Sequence, residues 1–240
     1  MSNLWALAQD LDEPGVYMLD ADESRHVTTR RLRVGDWLVL FDGAGRRAEA
    51  QIEATRKKSV EVRVDSVERV PAPVSRCVVA TAIPKGDRLS TMLQMLTQLG
   101  VTDWQPLVLQ DSAVRSLDPE AKRLRRILVE SAKVARRPWL LSVAAPRELD
   151  AVLADRDGAD VGPIYFGDRE GSGGGFEPGA DLVLIGPEAG FTESERERML
   201  QKGALPCAFS PHNLRIEVAA ISAAVALNLV SGGGAQGGSD

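Results

Sequence analysis

The stretch from residue 182 to residue 196, LVLIGPEAGFTESER, constrains the fold more than any other part of the chain. Leu182 to Ile185 is short and wholly apolar, which is typical of a buried strand. Thr192 and Glu195 match a capping box, so a helix is predicted to begin there. The loop Gly186 to Gly190 therefore follows the carboxyl end of a strand, where parallel α/β sheets place their ligands. Its glycines would let a ligand approach the backbone, although a plain strand-to-helix connection explains the spacing equally well.

A domain of the α/β class is predicted for residues 74 to 231, after a stiff Pro-Ala-Pro junction. Apolar runs alternate with helical patterns, which favours a largely parallel sheet. The predicted strands are Cys77 to Ile83, Trp104 to Leu109, one near Leu141, Gly162 to Phe166, Leu182 to Ile185 and Leu205 to Phe209. The predicted helices are Leu89 to Leu99, Pro119 (capped by Asp118) to Arg137, and Ile216 to Val230. The last helix is apolar nearly all round, so we expect it to be buried in the core or against a second subunit.

Residues 1 to 70 have a β pattern, which predicts a separate small β-barrel. Trp37 to Phe41 is a predicted strand, Asp42 to Gly45 a hairpin turn, and the alternation from Val60 to Val64 a half-buried strand. Two glycine-rich segments later in the chain predict a flexible loop at Gly171 to Gly175 and a disordered tail at residues 232 to 240.

Charge is distributed unevenly along the chain, although its net value is only −5. Residues 25 to 47 and 112 to 147 are rich in arginine, whereas residues 148 to 200 hold thirteen acidic residues and four arginines. This separation favours a polyanion bound on one face, against the alternative that the arginines lie on ordinary solvated faces. A basic ridge is predicted on the helix that ends at Arg137, formed by Lys122, Arg126, Lys133 and Arg137.

The sequence contains no apolar run long enough to span a membrane and no signal-peptide pattern at its start, so we expect a cytoplasmic protein without a membrane partner. Cys77 and Cys207 lie far apart among apolar neighbours. This setting favours reduced core thiols over a disulfide, a nucleophile or a metal site, and we expect no bound metal.

Five segments, taken in order, resemble the RNA methyltransferases with a SPOUT fold that modify N3 of a uridine in small-subunit ribosomal RNA. They are His26-Val27 with Arg30 to Asp36 and Phe41 to Gly43; Pro84 to Arg88; Gln98 to Val101 with Pro106; Ile185 to Phe191; and Leu214 to Glu217. The resemblance covers nearly the whole chain. It implies a SPOUT-type trefoil-knotted parallel sheet behind a small N-terminal PUA-like β-barrel. It also implies S-adenosyl-L-methionine as cofactor, 16S rRNA of the small ribosomal subunit as partner, and a homodimer packed through the last helix and the knot.

The resemblance also implies which residues bind the cofactor and the RNA. The expected cofactor-binding residues are Leu184, Ile185, Gly186, Pro187, Glu188, Gly190, Phe209, Ser210 and Leu214. The expected RNA-binding residues are His26, Arg30, Arg31, Arg33, Lys85, Arg88, Arg136 and Arg137. Because arginines that bind phosphates release counterions, the RNA affinity should depend strongly on salt.

Methylation at N3 requires that the site remove a proton or stabilise the anion that forms on the uracil oxygens. Arg215 is the candidate cation, with the alternative that it ties down the loop through carbonyl groups. Glu217 is the second candidate catalytic residue, and both Glu217 and Glu188 are suited to orienting loops or accepting a proton. His212 is more typical of a surface residue than of a general base.

Two other functions remain open from the sequence. The chain would also fit a SPOUT methyltransferase that acts on tRNA or on another rRNA position. Alternatively it would be an RNA-binding assembly factor that has lost catalysis, since Ala189 and Asn213 depart from the pattern of the family. A nucleotide-driven enzyme is disfavoured, because the chain lacks the phosphate-binding sequence G-x-x-x-x-G-K-[ST].

Overall fold

A computed structural model describes residues 4–56, 59–156, 162–173 and 175–231. The chain divides into two compact units. Unit 1 comprises Met1–Ala72 and Val129–Leu140, and unit 2 comprises Pro73–Leu128 and Leu141–Asp240. The predicted tail, residues 232 to 240, lies outside the described residues.

Unit 1 is built on a mostly antiparallel sheet. Its strands are ordered β1-β3-β4-β5-β2, with β6 paired to β4, and β1 runs parallel to β3. Alternate side chains of the central strands are buried, as the sequence pattern predicted. Its elements are β1 (Trp5–Leu7), β2 (Gly15–Met18), α1 (Ala21–Thr29), β3 (Trp37–Phe41), β4 (Arg46–Thr55), β5 (Val60–Val64) and β6 (Glu68–Arg69).

The helix α1 contradicts the purely β pattern predicted for the first 70 residues. Asp20 caps it, because its side chain accepts hydrogen bonds from the backbone N–H groups of Asp22 and Glu23. The buried face carries Glu23, Ser24 and Val27, so only one of its three buried residues is apolar. A helix whose inner face is mostly polar lacks the apolar stripe by which helices are recognised in sequences.

Unit 2 contains a parallel sheet with strand order β10-β8-β7-β12-β11-β13, to which β9 is added beside β8. This confirms the predicted α/β class. The division between the units falls within α3. The elements of this part of the chain are β7 (Val78–Ala82), α2 (Asp87–Gln98), β8 (Asp103–Val108), α3 (Lys122–Ala135), β9 (Ser142–Val143), β10 (Arg147–Glu148), α4 (Leu149–Ala154), β11 (Ile164–Ser172), β12 (Leu182–Ile185), α5 (Glu193–Gln201), β13 (Leu205–Cys207) and α6 (Ile216–Ser231).

The central strands β7 and β12 are buried along their whole length, which explains why their sequences are continuous apolar runs rather than alternating ones. Helix α6 packs against α2, β7 and β12. Because the strands are parallel, the segments that follow β7, β8, β12 and β13 leave the sheet at the same edge. That edge brings together loops that are far apart in sequence.

Three details of unit 2 and of α3 differ from the sequence prediction. Helix α3 begins at Lys122 rather than Pro119, because Asp118 Oδ1 accepts the N–H of Glu120 and closes a local turn instead of capping a helix. Lys133 is buried and ion-paired, so it is not part of an exposed basic ridge. Strand β11 extends to Ser172, so Gly171 and Ser172 of the predicted loop at Gly171 to Gly175 belong to the strand.

Both cysteines are buried in the core, as predicted. Burial raises the pKa of the Cys207 thiol. Within the described ranges, no helix is long and apolar enough to cross a membrane.

Candidate active site

A cavity of about 480 Å³ lies at the carboxyl edge of the sheet in unit 2. Five segments form its walls: the middle of β11, the loop after β12, the first turn of α5, the end of β13 with the residues that follow it, and the approach to α6. Its volume is in the range of small-ligand and cofactor sites. The loop singled out in the sequence, Gly186 to Gly190, forms one complete wall.

This loop is a tight turn whose backbone borders the cavity. The N–H of Gly190 donates to the carbonyl of Pro187 over 2.8 Å, and Gly190 has a φ of +84°. A Cβ at Gly186 would lie 3.1 Å from the carbonyl carbon of Gly190, so the two ends of the turn touch. Ala189, by contrast, does not have a positive φ, so its methyl group causes no backbone strain.

Aromatic rings form the apolar part of the cavity wall. Phe191 meets the buried ring of Phe166 edge to face, with centroids 6.1 Å apart. Phe209 meets Phe176 in the same way at 6.0 Å. These contacts fix two rings at the border of the cavity, where they provide flat apolar surfaces.

The charged groups that line the cavity are mostly acidic. The lining contains four carboxylates against two guanidinium groups, namely Asp168, Glu170, Glu188 and Glu193 against Arg169 and Arg196. Arg196 Nε lies 2.7 Å from Asp168 Oδ2, so this pair neutralises itself. Glu188 is likewise paired with Arg88. Glu170 and Glu193 against Arg169 therefore leave one negative charge in excess, which suits a ligand with net positive charge.

Most of these charged residues were missed by the sequence analysis. Asp168 and Arg169 follow directly on the apolar run that predicts β11, and that position was the only available signal. Arg196 lies on α5, almost thirty residues later, and only the pairing of β11 with β12 and β13 brings the two segments together.

A cluster of three charged side chains lies behind the loop. Arg88 Nη1 donates to Glu188 Oε1 over 2.6 Å and lies 4.0 Å from Glu217 Oε2. The hydrogen bond from Arg88 is the main reason that the pKa of Glu188 lies below its ordinary value, with a smaller contribution from the charge of Lys85. Glu217 is buried, and its Oε2 accepts no hydrogen bond from any residue that the structure describes.

The structure brings most of the predicted cofactor-binding residues together around the cavity. Leu184 is the exception, because it is buried within β12 behind the lining. The predicted catalytic residues lie outside the lining. Arg215 is exposed between two lining residues, Leu214 and Ile216, and Glu217 lies in the first turn of α6. The lining residues from the prediction are Ile185, Gly186, Pro187, Glu188, Gly190, Phe209, Ser210 and Leu214.

The predicted RNA-binding residues fall into two sets. Lys85 and Arg88 belong to unit 2, where Lys85 is exposed and Arg88 is engaged by Glu188. The others belong to unit 1, and among them three line a second cavity. Those three are His26, Arg30 and Arg136, while Arg31 and Arg33 are exposed and Arg137 is half-buried. Among the described residues, no group of three His, Cys, Asp or Glu side chains could hold a metal ion.

Comparison with known proteins agrees with this architecture. Residues 70–228 match the model of the RNA methyltransferase domain, and residues 19–65 match the RNA methyltransferase PUA domain, which confirms a PUA-like segment in unit 1. Ribosomal RNA small subunit methyltransferase E of Bacillus subtilis is 26% identical, with 92% of each chain covered.

Two solved structures are similar over nearly their whole length. A probable rRNA-methyltransferase from Porphyromonas gingivalis has a TM-score of 0.81 and 26% identity, covering 95% of this chain and 98% of its own. A candidate methyltransferase from Legionella pneumophila, solved with its bound cofactor SAM, has a TM-score of 0.77 and 28% identity, with the same two shares covered.

Proposed function

Because the chain belongs to the family defined by the RNA methyltransferase domain, we propose that it is an S-adenosylmethionine-dependent methyltransferase that modifies N3 of a uridine in 16S rRNA of the small ribosomal subunit. The observation that carries the proposal is the cavity bordered by the Gly186 to Gly190 turn. It is supported by the similar Legionella pneumophila protein with bound SAM and by the Bacillus subtilis relative that acts, by its name, on small-subunit rRNA.

The cavity fits this cofactor in shape and charge. S-adenosylmethionine carries a sulfonium and an ammonium group, and the excess of carboxylates in the lining complements them. The rings of Phe191 and Phe209 offer flat surfaces to its adenine. The backbone groups of the turn after β12 would hold its polar edges, because no bulky side chain shields them.

When bound, the cofactor supplies an electrophilic methyl group, so the protein needs no covalent nucleophile. The cavity would hold the uracil in line with that group, and positioning of this kind accounts for a large part of such a rate enhancement. The proton on N3 must pass to water as the bond to the methyl group forms, and a cation placed at the uracil oxygens would stabilise the negative charge that develops there. The target base must also leave its stack to reach the site.

We assign the role of that cation to Arg215. Its guanidinium is exposed, and its neighbours on both sides line the cavity, so a change of rotamer would direct it there. Glu217 would act through Arg88, which it helps to hold against Glu188. In this arrangement Glu217 is a positioning residue for the loop rather than a proton acceptor.

The remaining expectations become part of the same proposal. Residues 1 to 70 would form the RNA-binding domain and residues 74 to 231 the catalytic SPOUT domain, with a trefoil knot at the turn after β12 and a cytoplasmic location. A homodimer would cover the apolar side chains that α6 leaves exposed. These are Val218, Val225 and Leu229, the last of which is 77% exposed.

The first test is isothermal titration with S-adenosylmethionine, followed by methylation of small ribosomal subunits with methyl-labelled cofactor. We expect about one cofactor per chain. Ala189→Trp should abolish binding, because Ala189 lines the cavity and needs no special backbone conformation, so the ring fills the site without strain. Leu200→Trp is the matched control, since Leu200 is exposed on α5 and does not line the cavity.

Reverse transcription would locate the modified base. A methyl group on N3 removes the hydrogen-bond donor used in base pairing, so the reverse transcriptase stops there. A stop at one uridine of 16S rRNA supports the proposal. Label found only in tRNA or large-subunit rRNA would overturn the substrate, and binding without transfer to any RNA would favour an assembly factor.

A further inference from the structure

A second cavity, of about 460 Å³, lies within unit 1 and shares no lining residue with the cavity in unit 2. It is formed by the residues around β1, the end of α1 and the last turn of α3. Its volume is suited to one small ligand of the size of a nucleotide. The function proposed for the cavity at Gly186 to Gly190 gives no role to this second cavity.

One wall of this cavity is apolar. Trp5 is buried at its base, Leu4 and Leu32 are half-buried, and Val134 is 70% exposed. The exposed Val134 and the half-buried Leu4 and Leu32 make a patch that a flat apolar group would cover. A base that has left its stack has such a group on each face.

The polar side of the cavity contains the half-buried imidazole of His26. Burial lowers the pKa of His26, and the positive charges of Lys133 and Arg30 lower it further, while Glu130 opposes them. A neutral imidazole offers one donor and one acceptor, which suits the edge of a base or a ribose hydroxyl.

The available positive charge lies at Arg30 and Arg136. Lys133 also lines the cavity, but its Nζ is held 2.5 Å from Glu23 Oε1 and 2.9 Å from Glu130 Oε1. Arg30 and Arg136 are exposed and form no ion pair with any acidic residue in the described part of the chain. Their guanidinium groups are therefore available to phosphate oxygens.

We propose that this cavity receives one unstacked nucleotide of a single-stranded RNA segment, with the base against the apolar wall, its polar edge at His26 and its phosphate at Arg30 and Arg136. The proposal rests on the proposed function only in requiring that the chain binds RNA. A duplex would not fill the site, because an A-form helix presents its phosphates on a convex surface and keeps its bases stacked inside.

Fluorescence anisotropy tests the proposal, with a labelled single strand of ten uridines and a labelled RNA duplex of equal length, each at several salt concentrations. We expect His26→Ala to weaken single-strand binding by up to about tenfold, through loss of the hydrogen bonds to the polar edge of the base, without changing the salt dependence. Arg30→Ala should weaken binding and reduce the slope of log affinity against log salt by about 0.7.

Arg25→Ala is the matched control, because Arg25 lies on the same helix but is ion-paired with Asp22 and lines no part of the cavity. Its binding should stay within twofold of the wild-type protein. All three variants should keep the wild-type circular dichroism spectrum and urea unfolding midpoint, which would show that unit 1 is folded, and should bind S-adenosylmethionine normally, because that site lies in unit 2.

Unchanged single-strand binding in His26→Ala and Arg30→Ala would overturn the proposal, as would equal loss of duplex binding. A strand carrying 5-iodouridine provides a measurement on the wild-type protein, where photocrosslinks should map to Trp5 or His26, and crosslinks confined to unit 2 would also contradict the site. Failure of the proposed function would look different, because the oligouridine would still bind while small subunits remained unmethylated.

Discussion

Arg88 and Glu188 form a 2.6 Å hydrogen-bonded ion pair that joins the first turn of α2 to the loop after β12. The two residues are a hundred positions apart, and Arg88 was expected to bind RNA. In the structure its guanidinium faces the carboxylates of Glu188 and Glu217 instead. The pair therefore holds one wall of the cavity in unit 2 in place.

Arg88→Ala should lower the affinity for S-adenosylmethionine by about three- to tenfold, because the loop is less ordered without the ion pair. This corresponds to about 1 kcal/mol of binding free energy. The effect on unfolding should be below about 1 kcal/mol, because both side chains are partly exposed. Titration calorimetry and urea unfolding measure the two quantities. Arg123→Ala is the control, since Arg123 pairs with Asp87 on the surface of the same region. Equal affinity in both variants would contradict a role for Arg88 in holding the loop.

The same pair predicts a dependence of stability on pH. The pKa of Glu188 lies below its ordinary value of 4.5, chiefly through the hydrogen bond from Arg88. A lowered pKa in the folded state contributes stability above pH 4.5 and loses it as the pH falls through the folded value. The difference in unfolding free energy between the wild-type protein and Arg88→Ala should therefore shrink on acidification from pH 6 to pH 3. A constant difference would show that the pair does not contribute.

Gly45→Ala should destabilise unit 1 more than Gly35→Ala does. Both glycines have a positive φ, +96° and +91°, so each substitution carries a backbone cost of about 1–2 kcal/mol. Only at Gly45 would the new Cβ overlap the indole of Trp139, whereas open space surrounds Gly35. Urea unfolding should give a loss at Gly45 at least about 1 kcal/mol larger, the usual minimum cost of overpacking. Equal losses would mean that Trp139 moves aside freely.

Lys133→Met should destabilise the protein by about 3–5 kcal/mol, because it leaves the Glu23 carboxylate buried without its cation. A second change, Glu23→Leu, should recover more than half of that loss, since a buried ion pair is often replaced by apolar residues at little cost. Chemical denaturation of the two variants decides the matter. If the double variant is less stable than Lys133→Met alone, the prediction is wrong, and Glu23 contributes to stability by more than its charge interaction with Lys133.

Burial raises the pKa of Glu23, although Lys133 opposes the change. A raised pKa in the folded state contributes stability below the unfolded value and loses it as the pH rises through the folded value. The wild-type protein should therefore gain stability relative to Glu23→Gln as the pH is lowered from neutral toward the ordinary glutamate value of 4.5. The opposite trend would show that Lys133 outweighs burial.

Glu195→Ala should cost about 2 kcal/mol of stability, the sum expected for the lost capping box and the lost hydrogen bond from Gln110. Glu195 is buried, and its two oxygens accept from the backbone of Thr192 and of Gln110. The substitution thus removes the capping box of α5 and its link to the segment after β8 together. Thermal unfolding measures the loss, and Glu197→Ala, on the same helix, should change little.

The strands were predictable because their signals are local. Trp37–Phe41, Val60–Val64 and Leu182–Ile185 follow from alternation or continuous burial. The capping box at Thr192 also needs only four residues, and the structure confirms it. Helix α1 and the late start of α3 were missed. Asp20 caps a helix whereas Asp118 closes a turn, and the residues that flank each aspartate do not show which of the two it will do.

The candidate site was only half predictable for a related reason. The turn after β12 and the approach to α6 carry recognisable sequences, so Gly186 and Leu214 were found. The positions of Asp168 and Arg196 at the cavity depend on which strands lie side by side. Lys133 was assigned to the surface because the sequence of its own helix gives no sign of its partner, the carboxylate of Glu23. Neither the strand order nor a partner more than a hundred residues away can be read from local periodicity.

The pairing of β7 with β12 determines when the sheet of unit 2 can form during synthesis. Leu182 aligns with Val78, so the middle of the sheet closes only after more than a hundred further residues have been synthesised. The antiparallel pairs of unit 1 join strands that follow closely in the chain and can form much earlier. A nascent chain would hence expose the apolar faces of β7 and β8 until β12 is available, which makes this interval the period of greatest risk of aggregation during synthesis.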